Sequence, residues 1–206
     1  MIRRLALAFA ALLALPAAAQ QAAPPAPPAP PPSPTVKVTL TTSAGAIVLE
    51  LEPARAPVTT ANFLRYVDGK RYDGMTFYRA MKTDWGGGLI QGGVRDAKKL
   101  LPPIAHEPTT QTGLSHTEGT ISMARFAPGT ATSDFSIMIG DMTGLDANPK
   151  ATGDTAGFAA FGRVVSGMAV VKAIQAAPTS TTLGEGVMRG QMLDPPVKIL
   201  TARRTP

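Results

Sequence analysis

The sequence predicts a mainly β protein, an antiparallel barrel of about eight strands with two helices over its open ends. Three observations point there. Short apolar runs recur along the chain, each bounded by Gly, Pro, Asp or Thr. Where they alternate with polar residues, the period is the two that a half-buried strand requires. Only two stretches carry helical spacing, and no regular strand–helix–strand alternation appears that would indicate a parallel sheet.

The elements follow in order. Val36, Val38 and Leu40 alternate with Lys37 and Thr39, and Ile47, Leu49 and Leu51 alternate with Val48 and Glu50, across a turn at residues 42–45. That is a β-hairpin with one buried face. Pro57 opens the first helix, where its missing N–H costs nothing. Phe63, Leu64 and Val67 give that helix its apolar stripe, and Asp68-Gly69 stops it. Strands are expected at residues 76–81, 89–93, 119–124, 135–139 and 158–165. Ser166 reads as the N-cap of a second helix running through Met168, Val171 and Ile174 to Pro178. Residues 196–202 close the chain as a last strand.

Composition narrows the chemistry. The chain has 206 residues, 44% of them hydrophobic and 17% charged, so one globular domain with a tail is expected. It has no cysteine, which excludes disulfides, thiolate metal sites and cysteine nucleophiles. His106 and His116 are its only histidines, too few for a histidine-rich metal centre. Residues 1–19 read as a signal peptide: Arg3 and Arg4 form a basic leader, residues 5–15 an unbroken apolar run, and Ala17, Ala18 and Ala19 a small-residue cleavage site. The apolar run is far shorter than the roughly 20 residues that span a bilayer. Cleavage after Ala19 and a periplasmic or secreted location are therefore expected, with no lasting membrane insertion. Residues 20–34 contain only Ala, Gln, Ser and Pro, with eight prolines from Pro24 to Pro34, and read as a semi-rigid polyproline spacer. The folded domain then spans residues 35–206. Loss of the two leader arginines takes the formal charge from +6 to +4, with no concentrated basic face, so nucleic acid is not an expected partner.

No Walker loop, nucleophile elbow, paired-histidine zinc helix or dinucleotide fingerprint is present. Ser115-His116 reads as a solvated loop, and Asp141 with Asp146 as turn formers. What stands out is an ordered set: Tyr72-Asp73-Gly74, Phe77-Tyr78-Arg79, Gln91-Gly92-Gly93, Gly119 to Ala124, Ser133-Asp134-Phe135, Leu145-Asp146, and Phe161 to Met168. Here the sequence resembles the cyclophilins, the cyclosporin-binding class of peptidyl-prolyl cis-trans isomerases, from about residue 36 to 202. Pro102, Pro103, Ile104, Glu107 and the long segment after Leu145 look most like their exported bacterial branch.

The resemblance implies a closed eight-stranded barrel whose outer face binds an extended proline-containing polypeptide. It implies Arg79 as the catalytic arginine, Gln91 as the orienting glutamine and Phe135 as the floor of the proline pocket. It places Leu89 and Leu145 at pocket positions and Ala124 at the backbone that pairs with the peptide. Phe158 stands at a substrate-facing position held by histidine or tyrosine. No cofactor or metal is called for, and a monomer is expected. The family separates its arginine and glutamine by eight positions, whereas Arg79 and Gln91 are twelve apart. The extra residues fall at 82–88, and Gly88 occupies the place of an aromatic wall. Trp85, the only tryptophan, is expected to restore that wall from a longer loop. Asp134, Ser136 and Gly144 replace a glutamine, a pocket phenylalanine and an aromatic. The expected function is isomerisation of X–Pro bonds during folding of exported proteins; the alternative, drawn from the thinned pocket, is a weakly active or inactive peptide-binding or chaperone module.

Overall fold

The computed structural model describes residues 34–206. The expectations for the signal segment and for nearly all of the proline-rich spacer lie outside the described residues. Every expected strand is present: β1 (Val36–Thr42), β2 (Gly45–Leu51), β3 (Thr76–Lys82), β4 (Gly88–Gly93), β5 (Thr120–Met123), β6 (Phe135–Ile139), β7 (Ala159–Ser166) and β8 (Met192–Thr205). All pairings are antiparallel, and they close a barrel in the order β1-β2-β7-β5-β6-β4-β3-β8. Closure pairs both edges of every strand and leaves none open to a second chain.

The period-two pattern decides what lies inside. Val38 and Leu40, Ile47, Leu49 and Leu51, Ile121, Phe135 and Ile137, and Phe161 are all without solvent exposure. Two helices close the ends. α1 (Pro57–Asp68) sends Phe63, Tyr66 and Val67 into one end, and α3 (Met168–Ala176) sends Val171 and Ile174 into the other. Between them in sequence lies α2 (Thr109–Thr112), one turn of helix that the sequence reading omits, because four residues carry no periodicity. The expected N-cap also shifts: Ser166 ends β7, and Gly167, at φ 93°, caps α3. A methyl group at Gly167 would fall 2.3 Å from the Ala46 carbonyl oxygen, so only glycine fits both the turn and the close approach.

α1 shows how a long-range contact completes a local element. Ala56 offers no side-chain cap, and Pro57 takes the first position. The next N–H groups, of Val58 and Thr59, donate to the Glu107 carboxylate at 3.0 and 2.7 Å, and the Thr59 hydroxyl donates to it at 2.6 Å. A buried carboxylate at a helix N-terminus satisfies orphan donors and meets the positive end of the dipole. Among the described residues no helix is long and apolar enough to cross a membrane.

Candidate active site

The site lies on the outer face of β3, β4, β6 and β5. Its first feature is a β-bulge. Phe77 pairs with Gly92 and Arg79 with Gln91, so Tyr78 is an extra residue in β3. A bulge breaks strict alternation and re-aims side chains. Phe77 and Ala80 therefore both enter the core, while Tyr78 and Arg79 meet the polar groups of the outer face. Across the sheet, Arg79 opposes Gln91, Gln91 opposes Ser136, and Ser136 opposes Ser122. These four side chains form one lateral row over four strands.

The row is held by a directed hydrogen-bond chain. Arg79 Nη1 donates to Gln91 Oε1 at 2.8 Å, and Arg79 Nε donates to Gln191 Oε1 at 2.9 Å. With its oxygen committed, Gln91 must use its Nε2 to donate to the Tyr78 hydroxyl oxygen, at 2.8 Å. That leaves the Tyr78 hydrogen for Asp134 Oδ2, 2.7 Å away. Burial pushes the Tyr78 phenol well above its ordinary range, and the Asp134 charge adds to this, so the hydroxyl keeps the hydrogen it donates. Burial also raises Asp134, against the lowering effects of Tyr78 and the nearby Arg95. The Arg95 guanidinium lies 4.6 Å from the centre of the Tyr78 ring. Burial lowers Arg79 from its ordinary value, opposed by Tyr78, and a guanidinium remains cationic through such a shift. The result is one cation fixed at two of its nitrogens, with its remaining donors available to the cleft.

The cleft beside Arg79 has a volume of about 300 Å³. Leu89, Ala124, Leu145 and Phe158 line it together with Arg79 and Gln91, so six of the expected site residues meet in one place. Antiparallel pairing explains how the twelve-residue spacing is absorbed. The extra residues lengthen the β3–β4 hairpin, whose tip is tied by Thr83 N–H to the Gly87 carbonyl at 3.1 Å, and the Arg79–Gln91 pairing survives beneath it. Leu145 sits on a one-turn 3₁₀ segment (Thr143–Leu145). Phe158 is covered by the Arg125 guanidinium at 4.9 Å.

Two expected residues are elsewhere. Phe135 is not the floor of the cleft: it is fully buried inside the barrel, edge-on to Phe63, Tyr72 and Phe77 at 5.3 to 5.6 Å between ring centres. Strand alternation is the reason. Phe135 and Ile137 point in, so Ser136 and Met138 point out and line the cleft. Trp85 is not the cleft wall either. It lines a separate hollow near α3 with Glu118, Lys172 and Gln175, and its indole covers Gly140, where a methyl group would fall 2.8 Å from the ring. Gly88 cannot supply the wall, because a side chain there would collide with the Met81 carbonyl and Gln175. Trp85→Ala is accordingly expected to leave KM for an Ala-Pro peptide within about twofold of the parent, as for a surface change remote from the cleft; steady-state isomerisation kinetics check this.

The wall comes from a segment the sequence did not mark. Val187 and Met188 line the cleft from the loop between α3 and β8, and Gln191 reaches back from the same loop to Arg79. The Arg79–Gln191 separation of 112 residues leaves no local signal. Ser136 had two clues, the period of two and the resemblance, which sets it where a pocket phenylalanine is usual. Gln191→Ala frees one nitrogen of the guanidinium and is expected to lower kcat roughly three- to tenfold, about the net worth of one ordinary hydrogen bond. His116 also departs from expectation. It is fully buried, with Nδ1 2.5 Å from Asp146 Oδ1 and Nε2 2.8 Å from Ser122 Oγ.

Comparison with known proteins gives this arrangement its context. The family model described as cyclophilin type peptidyl-prolyl cis-trans isomerase/CLD matches residues 37–204. The peptidyl-prolyl cis-trans isomerase cyp18 of Streptomyces antibioticus is 41% identical over 152 residues, covering 71% of this chain and 87% of that protein. A peptidyl-prolyl cis-trans isomerase of Acinetobacter baylyi is 36% identical over 171 residues, 81% of this chain and 84% of the relative. Among solved structures, a cyclophilin type peptidyl-prolyl cis-trans isomerase of Cryptosporidium parvum superposes with a TM-score of 0.65 at 19% identity, covering 84% of this chain and 98% of that one. The fold agrees, the family model spans the whole barrel, and the chain belongs to the cyclophilin-type peptidyl-prolyl cis-trans isomerases.

Proposed function

We propose that Arg79 performs the isomerisation by stabilising the twisted imide, in a cleft that takes proline within an extended or unfolded polypeptide. The observation that carries this is the guanidinium held by Gln91 and Gln191 over an apolar cleft. Rotation about X–Pro breaks amide resonance, a barrier of about 18–20 kcal/mol. At the twisted geometry the proline nitrogen becomes pyramidal and recovers its lone pair. A donor facing that nitrogen has nothing to bond in the planar ground state, so its contribution is specific to the transition state. The Gln91 and Gln191 bonds fix the fork before substrate arrives, so little reorganisation remains to be done.

The cleft supplies the grip. Leu89, Leu145, Phe158 and the flexible thioethers of Met81, Met138 and Met188 surround the ring position. The Ala124 N–H is committed to the Asp134 carbonyl at 2.8 Å, and its own carbonyl accepts no hydrogen bond among the described residues. That carbonyl is the group a peptide N–H would meet. The Cryptosporidium enzyme has also been solved in the presence of the dipeptide Ala-Pro, which agrees with this class of ligand. Turnover of an Ala-Pro peptide beside an Arg79→Ala variant tests the assignment, and equal kcat values would refute it.

The wider role follows from the sequence. The basic leader, apolar run and Ala17–Ala19 support export to the periplasm or medium with cleavage after Ala19, and residues 20–34 support a spacer ahead of the barrel. X–Pro isomerisation takes about 10–100 s uncatalysed, slow enough to limit refolding after export. Barrel closure supports a monomer.

A further inference from the structure

We propose that His116 is a positioning residue of this cleft, tying the hydroxyl at its floor to the loop that carries Leu145, and that charging His116 loosens the hold on proline. The proposal rests on the cleft being the proline site. His116 touches neither Arg79 nor the cleft surface; it acts through Ser122 and Asp146.

The geometry fixes the hydrogens. Asp146 Oδ1 accepts the His116 backbone N–H at 3.0 Å and lies 2.5 Å from Nδ1, and the Ser115 hydroxyl donates to Oδ2. A carboxylate only accepts, so Nδ1 carries the ring hydrogen and Nε2 is bare. The Ser122 hydroxyl must then donate to Nε2, across 2.8 Å. Ser122 lines the cleft, and its cross-strand neighbour Ser136 lines it too. Asp146 directly follows Leu145, so the same imidazole anchors the floor on one side and the wall on the other.

Protonation puts a hydrogen on Nε2, the atom that had accepted from Ser122. Nε2–H then faces the Ser122 oxygen, and the Ser122 hydrogen must turn away from the ring, towards the cleft. An apolar proline ring above it offers no acceptor, so bound substrate leaves that donor unpaired. The penalty falls on the bound state and hence on KM. Arg79 and its partners are untouched, so kcat holds.

The charged surroundings leave one group acting on the imidazole. Among the groups near His116, Glu118 turns outward to Lys172 at 2.7 Å, and the exposed Asp141 accepts from the Glu118 N–H. β5 and β6 present the neutral Ser122 and Ser136. Asp146 alone favours the charged ring, and burial outweighs it, holding His116 below the ordinary histidine value. The step therefore lies on the acid side of about pH 6.5. Asp134, raised by burial, also titrates in acid, but it acts through Tyr78 and Gln91 on Arg79. Its signature is in kcat, and Asp134→Asn isolates it.

The test is exchange NMR of an Ala-Pro peptide from pH 7.5 to 4.5, with the full chain, the two imidazoles being followed in parallel. In the parent, KM should rise on the order of tenfold with the midpoint at which His116 itself titrates, and any step in kcat should be absent from Asp134→Asn while the KM step remains. His116→Gln keeps an amide in place of the ring but cannot gain charge, and should show no step. Ser122→Ala should also lose the step while His116 still titrates, which a merely structural histidine would not produce, and it serves if the glutamine variant does not fold. A KM step that persists in either variant or is missing from the parent, or a kcat step that follows the His116 titration in Asp134→Asn, overturns the proposal. Turnover surviving in Arg79→Ala at every pH would instead remove the catalytic reading on which it rests.

Discussion

Arg79→Ala is expected to lower kcat for an Ala-Pro peptide by about two to three orders of magnitude, the cost of deleting one preorganised donor aimed at developing charge. KM should change by less than about threefold, because the planar imide offers the guanidinium no lone pair and ground-state binding resides in the apolar walls. That split is the informative part. A loss confined to KM would make Arg79 a binding residue and the mechanism wrong. Arg79→Lys sharpens the test. Lysine keeps the charge but lacks the planar fork that reaches Gln91 and Gln191 together. If charge alone were sufficient, lysine would recover the parent rate; if fixed geometry is required, it should recover only a small fraction. Exchange NMR at saturating peptide reads kcat directly. The barrel core is untouched by either change, so the melting temperature should move little.

Much of this was legible in the sequence because short-range patterns carry it. Val36, Val38 and Leu40 alternate in the chain and face the core in the barrel as their period requires. The meeting of Arg79 with Gln91 was implied by the resemblance, and the antiparallel β3–β4 pairing is what realises it despite their spacing. What was illegible depends on distance or on local irregularity. The bulge at Tyr78 sets two neighbouring side chains on the outer face, and nothing in Phe77-Tyr78-Arg79 announces an extra residue. Gln191 reaches Arg79 from β8's leading loop, and His116 finds Asp146 thirty residues on and Ser122 on β5. Trp85 shows the opposite hazard. An aromatic in a longer loop was available to fill a missing wall, but the lengthened hairpin carries it over Gly140, and Met188 takes the cleft instead.

Phe135→Ala should cost about 3–5 kcal/mol of stability, the range for emptying a buried phenylalanine site. For a domain of this size that is a fall in melting temperature on the order of 10 °C. The site cannot collapse easily, since Phe63, Tyr72 and Phe77 all rest against the same ring and belong to different elements. Moving any of them inward would pull on α1 or β3 as well. In the molecules that remain folded, KM for an Ala-Pro peptide should stay within about threefold of the parent, because the side chain contributes no surface to the cleft. Ser136→Ala is the complement. It removes a hydroxyl at the cleft floor and leaves the core intact, so stability should shift by less than about 0.5–1 kcal/mol while any change appears in KM. The two neighbours therefore separate what strand alternation separates: one side chain holds the barrel together and the next meets the substrate. A stable Phe135→Ala variant with a raised KM would reverse that assignment and place the phenyl ring under the proline.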